Sequence, residues 1–206
     1  MLHSIEHPLI SSELTRLRNP DTSSRDFRAG VRRIAALMVP QVTASLQTCV
    51  TECNTPLEIT SGEKLVRPVI LVPILRAGLG FLDGFLDLMP DSGIAHIGIA
   101  RNEETLAPET YVLKHPEKID EAELIVLDPM LATGGSAIHA ISRLLEGGAK
   151  RIRFVCMLAA PEGIAALRTA HPEVDIYAAA IDRCLDAKGF ILPGLGDAGD
   201  RLFGTI

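Results

Sequence analysis

Five short apolar runs, most of them followed by residues in a helical pattern, limit what this chain can fold into more than any other feature. They cover residues 68–74, 93–100, 124–127, 152–158 and 174–178. Runs so nearly continuous in apolar residues bury both faces of a strand, as parallel sheets do. Between them, residues of about 78–88, 135–146 and 161–170 carry helical patterning. The alternation predicts an α/β fold: a parallel five-stranded sheet flanked by helices on both faces. Such sheets bind ligands at the carboxyl ends of their strands, near a topological switch point.

The N-terminal part reads differently. Residues from about 23 to 50 are predicted helical, opened by a capping box of Ser23 and Asp26. Val31, Ile34, Ala35, Met38 and Val42 recur at helical spacing, and Pro40 is expected to kink or divide the segment. A short strand is expected over 56–60. Residues 101–121 form a long charged insertion of the kind that makes a lid or binding arm.

With 206 residues, 47% of them hydrophobic, the chain can bury one large core, so one domain over 1–206 is expected. The net charge is −6, from 20 basic and 26 acidic residues, with neither a basic run nor a basic patch interleaved with aromatics. That argues against a nucleic-acid surface. No run of about 18 uninterrupted apolar residues exists to span a membrane. The first residues lack a charged-then-apolar leader pattern, so a cytoplasmic protein is expected. Cys49 and Cys53 are four apart and could share a helix face; without a second ligand pair they do not suggest zinc. Cys156 falls inside an apolar run and is expected in the core.

Chemistry concentrates in Asp128-Pro-Met-Leu-Ala-Thr133-Gly-Gly-Ser136, directly after the third run. A strand ending in a carboxylate, then a small-residue turn opening a helix, suits a sugar phosphate. The helix N-terminus offers free N–H groups and the positive end of its dipole. Thr133 and Ser136 add hydroxyl donors, the glycines allow close backbone approach, and Asp128 can accept from ribose hydroxyls. After the first run, Arg76-Ala-Gly78-Leu-Gly80 places a guanidinium, suited to bidentate capture of phosphate oxygens, before a helix. Near the end, Gly194-x-Gly196-x-x-Gly199 has dinucleotide-fingerprint spacing. Such a fingerprint must open a βαβ unit with an acid about 20 residues on, and only seven residues follow Gly199.

The nonapeptide is similar to the phosphoribosyl-diphosphate (PRPP) signature of the type I phosphoribosyltransferases. With Pro129 where most members carry a second acid, it resembles the uracil phosphoribosyltransferase branch. His7-Pro-Leu-Ile, Ala160-Pro-Glu-Gly-Ile164 and Phe203-Gly-Thr extend the resemblance over nearly the whole chain. It implies transfer of the 5-phosphoribosyl group of PRPP to uracil N1, giving UMP and diphosphate, with Mg²⁺ as cofactor. It further implies a small C-terminal hood over about 181–206 and a flexible hairpin arm over about 101–121.

By the same resemblance, PRPP is held by Arg76, Arg101, Asp197 and the run Asp128, Pro129, Met130, Leu131, Ala132, Thr133, Gly134, Gly135 and Ser136. Uracil is read by Ile191, Gly196, Asp197 and Ala198, largely through backbone groups that match its polar edge. Asp128, Arg101 and Asp197 carry the catalytic roles, and Asp197 sits near a magnesium held mainly by PRPP and water rather than by direct protein ligands. Tyr111 and Lys114 read equally as flap residues or as parts of a solvated hairpin, while His96 reads as structural and His139 as an exposed position on the helix after the phosphate turn. The resemblance also implies a homo-oligomer, dimer or tetramer, and a GTP effector in some members. The chain departs from the family pattern at Phe190, commonly Tyr, at Val39-Pro40-Gln41, commonly containing a Tyr-Glu pair, and at Ala100, usually larger. A PRPP-sensing regulator would need a basic face. A purine enzyme would show two consecutive acids, and a nucleotide kinase a Gly-Lys-Ser/Thr element that this chain lacks.

Overall fold

The computed structural model describes residues 1–101 and 108–205. In chain order the elements are β1 (Leu2–Ser4), α1 (Pro8–Arg18), α2 (Ser24–Thr43), β2 (Thr48–Asn54), β3 (Ile59–Leu65), β4 (Val69–Leu75) and α3 (Leu79–Leu86). There follow β5 (Gly93–Ile94), β6 (His96–Arg101), β7 (Pro108–Lys114), β8 (Glu123–Leu127), β9 (Met130–Leu131) and α4 (Gly135–Glu146). The last are β10 (Ile152–Ala159), α5 (Pro161–Ala170), β11 (Asp175–Ile181), β12 (Cys184–Leu185), β13 (Ile191–Leu192) and α6 (Ala198–Phe203).

The five predicted strands form the parallel centre of the sheet, in the order β11-β10-β8-β4-β6. The sheet is one strand wider at each edge. β1 joins β11 in parallel, and β7 returns antiparallel along β6. Alternate residues feed two cores. Leu71, Ile125, Leu127, Val155 and Met157 face α1, α2 and α3, with Leu17, Phe27, Ile34, Phe81 and Phe85 packed against them. Ile70, Val72, Val126, Phe154 and Cys156 face α4 and α5, meeting Ala140, Ile141, Leu144 and Leu167. This two-sided burial is why the runs are apolar at every position.

Chain order reverses between β4 and β8. The chain leaves β4 through α3 toward β6 on one side, and leaves β8 through α4 toward β10 on the other. The carboxyl ends of these two neighbours therefore open a crevice, the switch point at which such sheets bind ligands.

The helix expected over 23–50 is shorter. Ser23 caps α2 as expected, its hydroxyl accepting from Asp26 N–H at 3.2 Å and donating to the Asp26 carboxylate at 2.8 Å. Pro40 does not divide it, since α2 runs on to Thr43. Pro40 is exposed, so water can satisfy the Ala36 carbonyl deprived of its partner. Residues 48–54, rich in β-branched side chains, pair with β3 in a hairpin outside the main sheet. Cys49 and Cys53 thus lie on a strand rather than a helix, and the strand expected at 56–60 begins only at Ile59. Cys156 is fully buried, as expected.

Candidate active site

The turn over 128–136, expected to bind phosphate, lies at the crevice. From Asp128 the chain is pinned to β10: Pro129 C=O accepts from the N–H groups of Met157 and Leu158 at 3.0 Å each, and Leu131 C=O from Ala160 N–H at 2.9 Å. Thr133 is exposed, Gly134 turns with φ +85°, and α4 begins. Gly134 offers no side chain to cap α4, and Thr133 Oγ1 accepts from Gly135 N–H at 3.5 Å; the other first-turn N–H groups, beside the exposed Ser136, are available to an anion. The turn is braced from behind by Gly163 on α5. A Cβ there would lie 2.3 Å from the Ala132 carbonyl oxygen, so only glycine lets α5 come so close. The motif containing Gly163 is visible in the sequence; its contact with the turn is not.

Asp128, half-buried at the end of β8, accepts from Met130 N–H at 3.3 Å. Burial pushes its carboxyl up to about 7; the Met130 bond opposes this and the negative charge of Asp197 adds to it. The two predicted catalytic carboxylates therefore sense each other across the cleft, although they lie in different structural units. Burial pushes the Cys156 thiol up and the negative charge of Asp128 adds to the shift, which leaves that thiol inert.

Arg76 follows β4 through a cis Leu75–Arg76 peptide. Gly78 closes the turn where a Cβ would lie 2.3 Å from Leu127 C=O, so the two crevice loops touch through backbone. The Arg76 guanidinium is 3.5 Å from the Asp200 carboxylate and lies over the Phe203 ring at 5.7 Å, which brings it to the hood.

The hood is built from β12, β13 and the short helix α6. Gly194 and Gly196 adopt φ of +61° and +82°, and Leu192–Pro193 is cis. Asp197 caps α6, its Oδ1 accepting from Asp200 N–H at 2.9 Å. No βαβ unit surrounds these glycines, in line with rejection of the dinucleotide reading. Gly189 lies 3.5 Å, measured from a Cβ built on it, from the Thr133 methyl, so the hood borders the phosphate turn. Ile191 is buried, Phe190 is 44% exposed, and Gly196 and Asp197 are open to solvent. Among the described residues, no hydrogen bond engages the Gly196 or Ala198 N–H.

Arg101 ends β6, its backbone in register with Pro108 of β7. Its side chain, and residues 102–107 of the expected arm, lie outside the described residues. Tyr111 lies across its own hairpin: a Cβ at Gly98 would meet its ring at 2.4 Å. His96 pairs with Lys114 in strand register. His139 is half-buried rather than exposed, and its Nε2 lies 2.8 Å from the Thr110 hydroxyl.

Two residues that the sequence did not single out belong to the hood. Arg18, the last residue of α1, and Asp182, directly after β11, form a two-bond pair at 2.7 Å each beside Gly194. Their 164-residue separation left no local pattern to find.

A parallel sheet with a phosphate turn at its switch point and a hood above it defines the type I phosphoribosyltransferase class. The hypoxanthine phosphoribosyltransferase of Trypanosoma cruzi, solved with its product IMP, shares the fold: TM-score 0.50, 12% identity, 80% of each chain covered. The AQ2163 protein of Aquifex aeolicus superposes with a TM-score of 0.93 at 35% identity over 98% of both chains. The uracil phosphoribosyltransferase family profile matches residues 4–205. A uracil phosphoribosyltransferase of Clostridium acetobutylicum is 54% identical over 202 residues, covering 98% of this chain and 97% of that protein. The chain belongs to the uracil phosphoribosyltransferase family.

Proposed function

We infer that this protein transfers the 5-phosphoribosyl group of PRPP to uracil N1, releasing UMP and diphosphate, a pyrimidine-salvage reaction. The observation that supports the reading is the convergence, at one switch point, of the Asp128 carboxylate, the glycine turn that opens α4 and the glycine-rich turn of the hood. Residues 1–206 work as one catalytic domain in this reading, with the expected arm and hood serving the same site.

In the proposed assignment the 5′-phosphate sits on Thr133, Gly134, Gly135 and Ser136, with the preceding Pro129, Met130, Leu131 and Ala132 shaping the approach, and Asp128 holds the ribose hydroxyls. Arg76 and Arg101 neutralise the leaving diphosphate. Backbone groups of Ile191, Gly196 and Ala198, beside Asp197, orient the base in line with C1′. As the C1′–O bond loosens, an oxocarbenium-like centre forms and uracil N1 attacks from the opposite face. Positioning and fixed charge supply the acceleration, with no nucleophilic side chain required.

Mg²⁺ is part of the proposal. Among the described residues no three His, Cys, Asp or Glu side chains form a ligand set, while the Asp128 and Asp197 charges meet at the cleft. The carboxylates of Asp128 and Asp197 are hard oxygen donors of the kind that suits Mg²⁺, and would stand beside an ion that arrives with the substrate. The ion would offset charge on the leaving diphosphate.

A homo-oligomer, dimer or tetramer, is proposed on the same family grounds. The β2–β3 hairpin supports it, since Val50 and Ile59 are exposed on it and a lone two-stranded hairpin gains stability by docking. GTP as effector is proposed on the resemblance, and a cytoplasmic location on the first residues' want of a charged-then-apolar pattern; no helix among the described residues is long and apolar enough to cross a membrane.

The decisive experiment supplies PRPP, Mg²⁺ and a panel of pyrimidine and purine bases, and identifies the nucleotide formed. UMP from uracil is expected. A purine nucleotide as main product, or none at all, would overturn the reading.

A further inference from the structure

The hood turn that separates Ile191 from Ala198 is held by a device from the far end of the chain. Arg18 donates from Nη1 and Nη2 to the two Asp182 carboxylate oxygens at 2.7 Å each, and Nη1 also donates to Gly194 C=O at 2.8 Å. Asp182 Oδ2 in turn accepts from Gly194 N–H at 2.8 Å. Both polar backbone groups of Gly194 are thus bound by one ion pair. Gly194 itself cannot be replaced, because at φ +61° a Cβ would lie 2.0 Å from Ile191 C=O. Asp182 is 8% exposed, so the pair works where water screens it little.

A second arginine repeats the arrangement one residue on. Arg201 donates to Leu195 C=O at 2.8 Å, to Leu17 C=O at 2.5 Å and to Asn19 C=O at 2.7 Å, while its guanidinium lies 4.3 Å from the Phe27 ring centroid. The end of α1 is therefore fastened to the hood at both Gly194 and Leu195. A reader made of backbone groups has no side-chain rotamers with which to recover a lost alignment. Its accuracy depends on what holds the backbone, and an ångström of misplacement is costly.

We propose that Arg18 and Asp182 are positioning residues for the base: the pair fixes the Gly194 turn and thereby sets recognition of uracil, apart from PRPP binding. This rests on the phosphoribosyl-transfer reading above. Lysine at position 18 keeps the positive charge but, as a point donor on a flexible stem, cannot hold both carboxylate oxygens and the Gly194 carbonyl together.

The test compares wild type with Arg18→Lys and Asp182→Asn. It measures KM for uracil and for PRPP separately, together with amide hydrogen exchange of the ligand-free proteins. Both variants keep a polar group at the buried site, so the fold is expected to survive. The expected result is a rise of about tenfold or more in KM for uracil, PRPP KM within about twofold, and faster exchange at the Gly194 N–H, which Asp182 binds, but not at 133–138. Arg18→Ala offers a third arm: added guanidinium ion should restore uracil KM toward the wild-type value. Equal changes in both KM values, unchanged uracil KM, or unchanged exchange at the turn would each overturn the proposal. If wild type formed no UMP, the transfer reading would fall, and the exchange data would still decide whether the pair holds the turn.

Discussion

Asp128 should cost the empty enzyme stability at working pH, and the size of that cost follows from its surroundings. Its carboxyl titrates at about 7 in the folded chain against an ordinary value of 3.8. At 1.36 kcal/mol per pH unit the gap corresponds to a ceiling of about 4 kcal/mol. The sign follows from the direction. A carboxyl raised on folding binds its proton more tightly in the native state, so its relative stabilisation is complete below 3.8 and gone once pH passes about 7. Asp128→Asn removes the titration, preserves shape and keeps an oxygen for the Met130 N–H. Urea unfolding of the ligand-free proteins, from pH 4 to pH 8.5, isolates the effect, because groups away from Asp128, Asp197 and Cys156 titrate alike in both. The variant should match wild type near pH 4, pull ahead as pH rises, and level off above about pH 7 to 8 by up to about 4 kcal/mol. For a chain of this size that ceiling is roughly 10 °C in Tm. Turnover should nevertheless collapse in Asp128→Asn. A stability difference that is flat across this range, or near-normal activity in the variant, would refute the account.

Gly163→Ala should lower Tm by several degrees and raise KM for PRPP, because the new methyl would lie 2.3 Å from the Ala132 carbonyl; overpacking of this kind costs about 1–3 kcal/mol. An unchanged PRPP KM would show that α5 does not brace the turn. Thr133→Val removes one proposed phosphate donor at constant shape; a hydrogen bond to a charged group contributes about 1.5–3 kcal/mol, so PRPP KM should rise roughly 10- to 150-fold with Tm unchanged. Arg101→Ala should weaken use of PRPP more than use of uracil, and an unchanged PRPP KM would remove Arg101 from the site.

What the sequence made legible was whatever it encodes locally. The central strands show because burial on both faces demands apolar residues at every position, as in Val69–Leu75. The phosphate turn shows because Gly134 and its neighbours must supply a backbone path and open donors within nine residues of Asp128. Edge elements stayed hidden. β1 has three residues, too few to display a period, and β2–β3 is an exposed hairpin whose alternation of burial is weak. Pro40 does not divide α2, because it is exposed and water can satisfy the carbonyl it deprives of a partner.

The same division separates the groups proposed to touch ligand from those that hold them. Asp128, Thr133 and Arg76 lie on loops directly after strands, where position in the sequence implies position in space. Arg18, Asp182 and Arg201 act across 164 to 184 residues, and each is one more charged residue until the fold brings it to its partner. The base half of the site therefore depends on the first helix in a way that the phosphate half does not. The phosphate turn is anchored to β10, its own neighbour in the sheet, whereas the hood turn hangs between α6 and the end of α1. Changes that loosen α1 should accordingly reach uracil recognition before they reach PRPP binding.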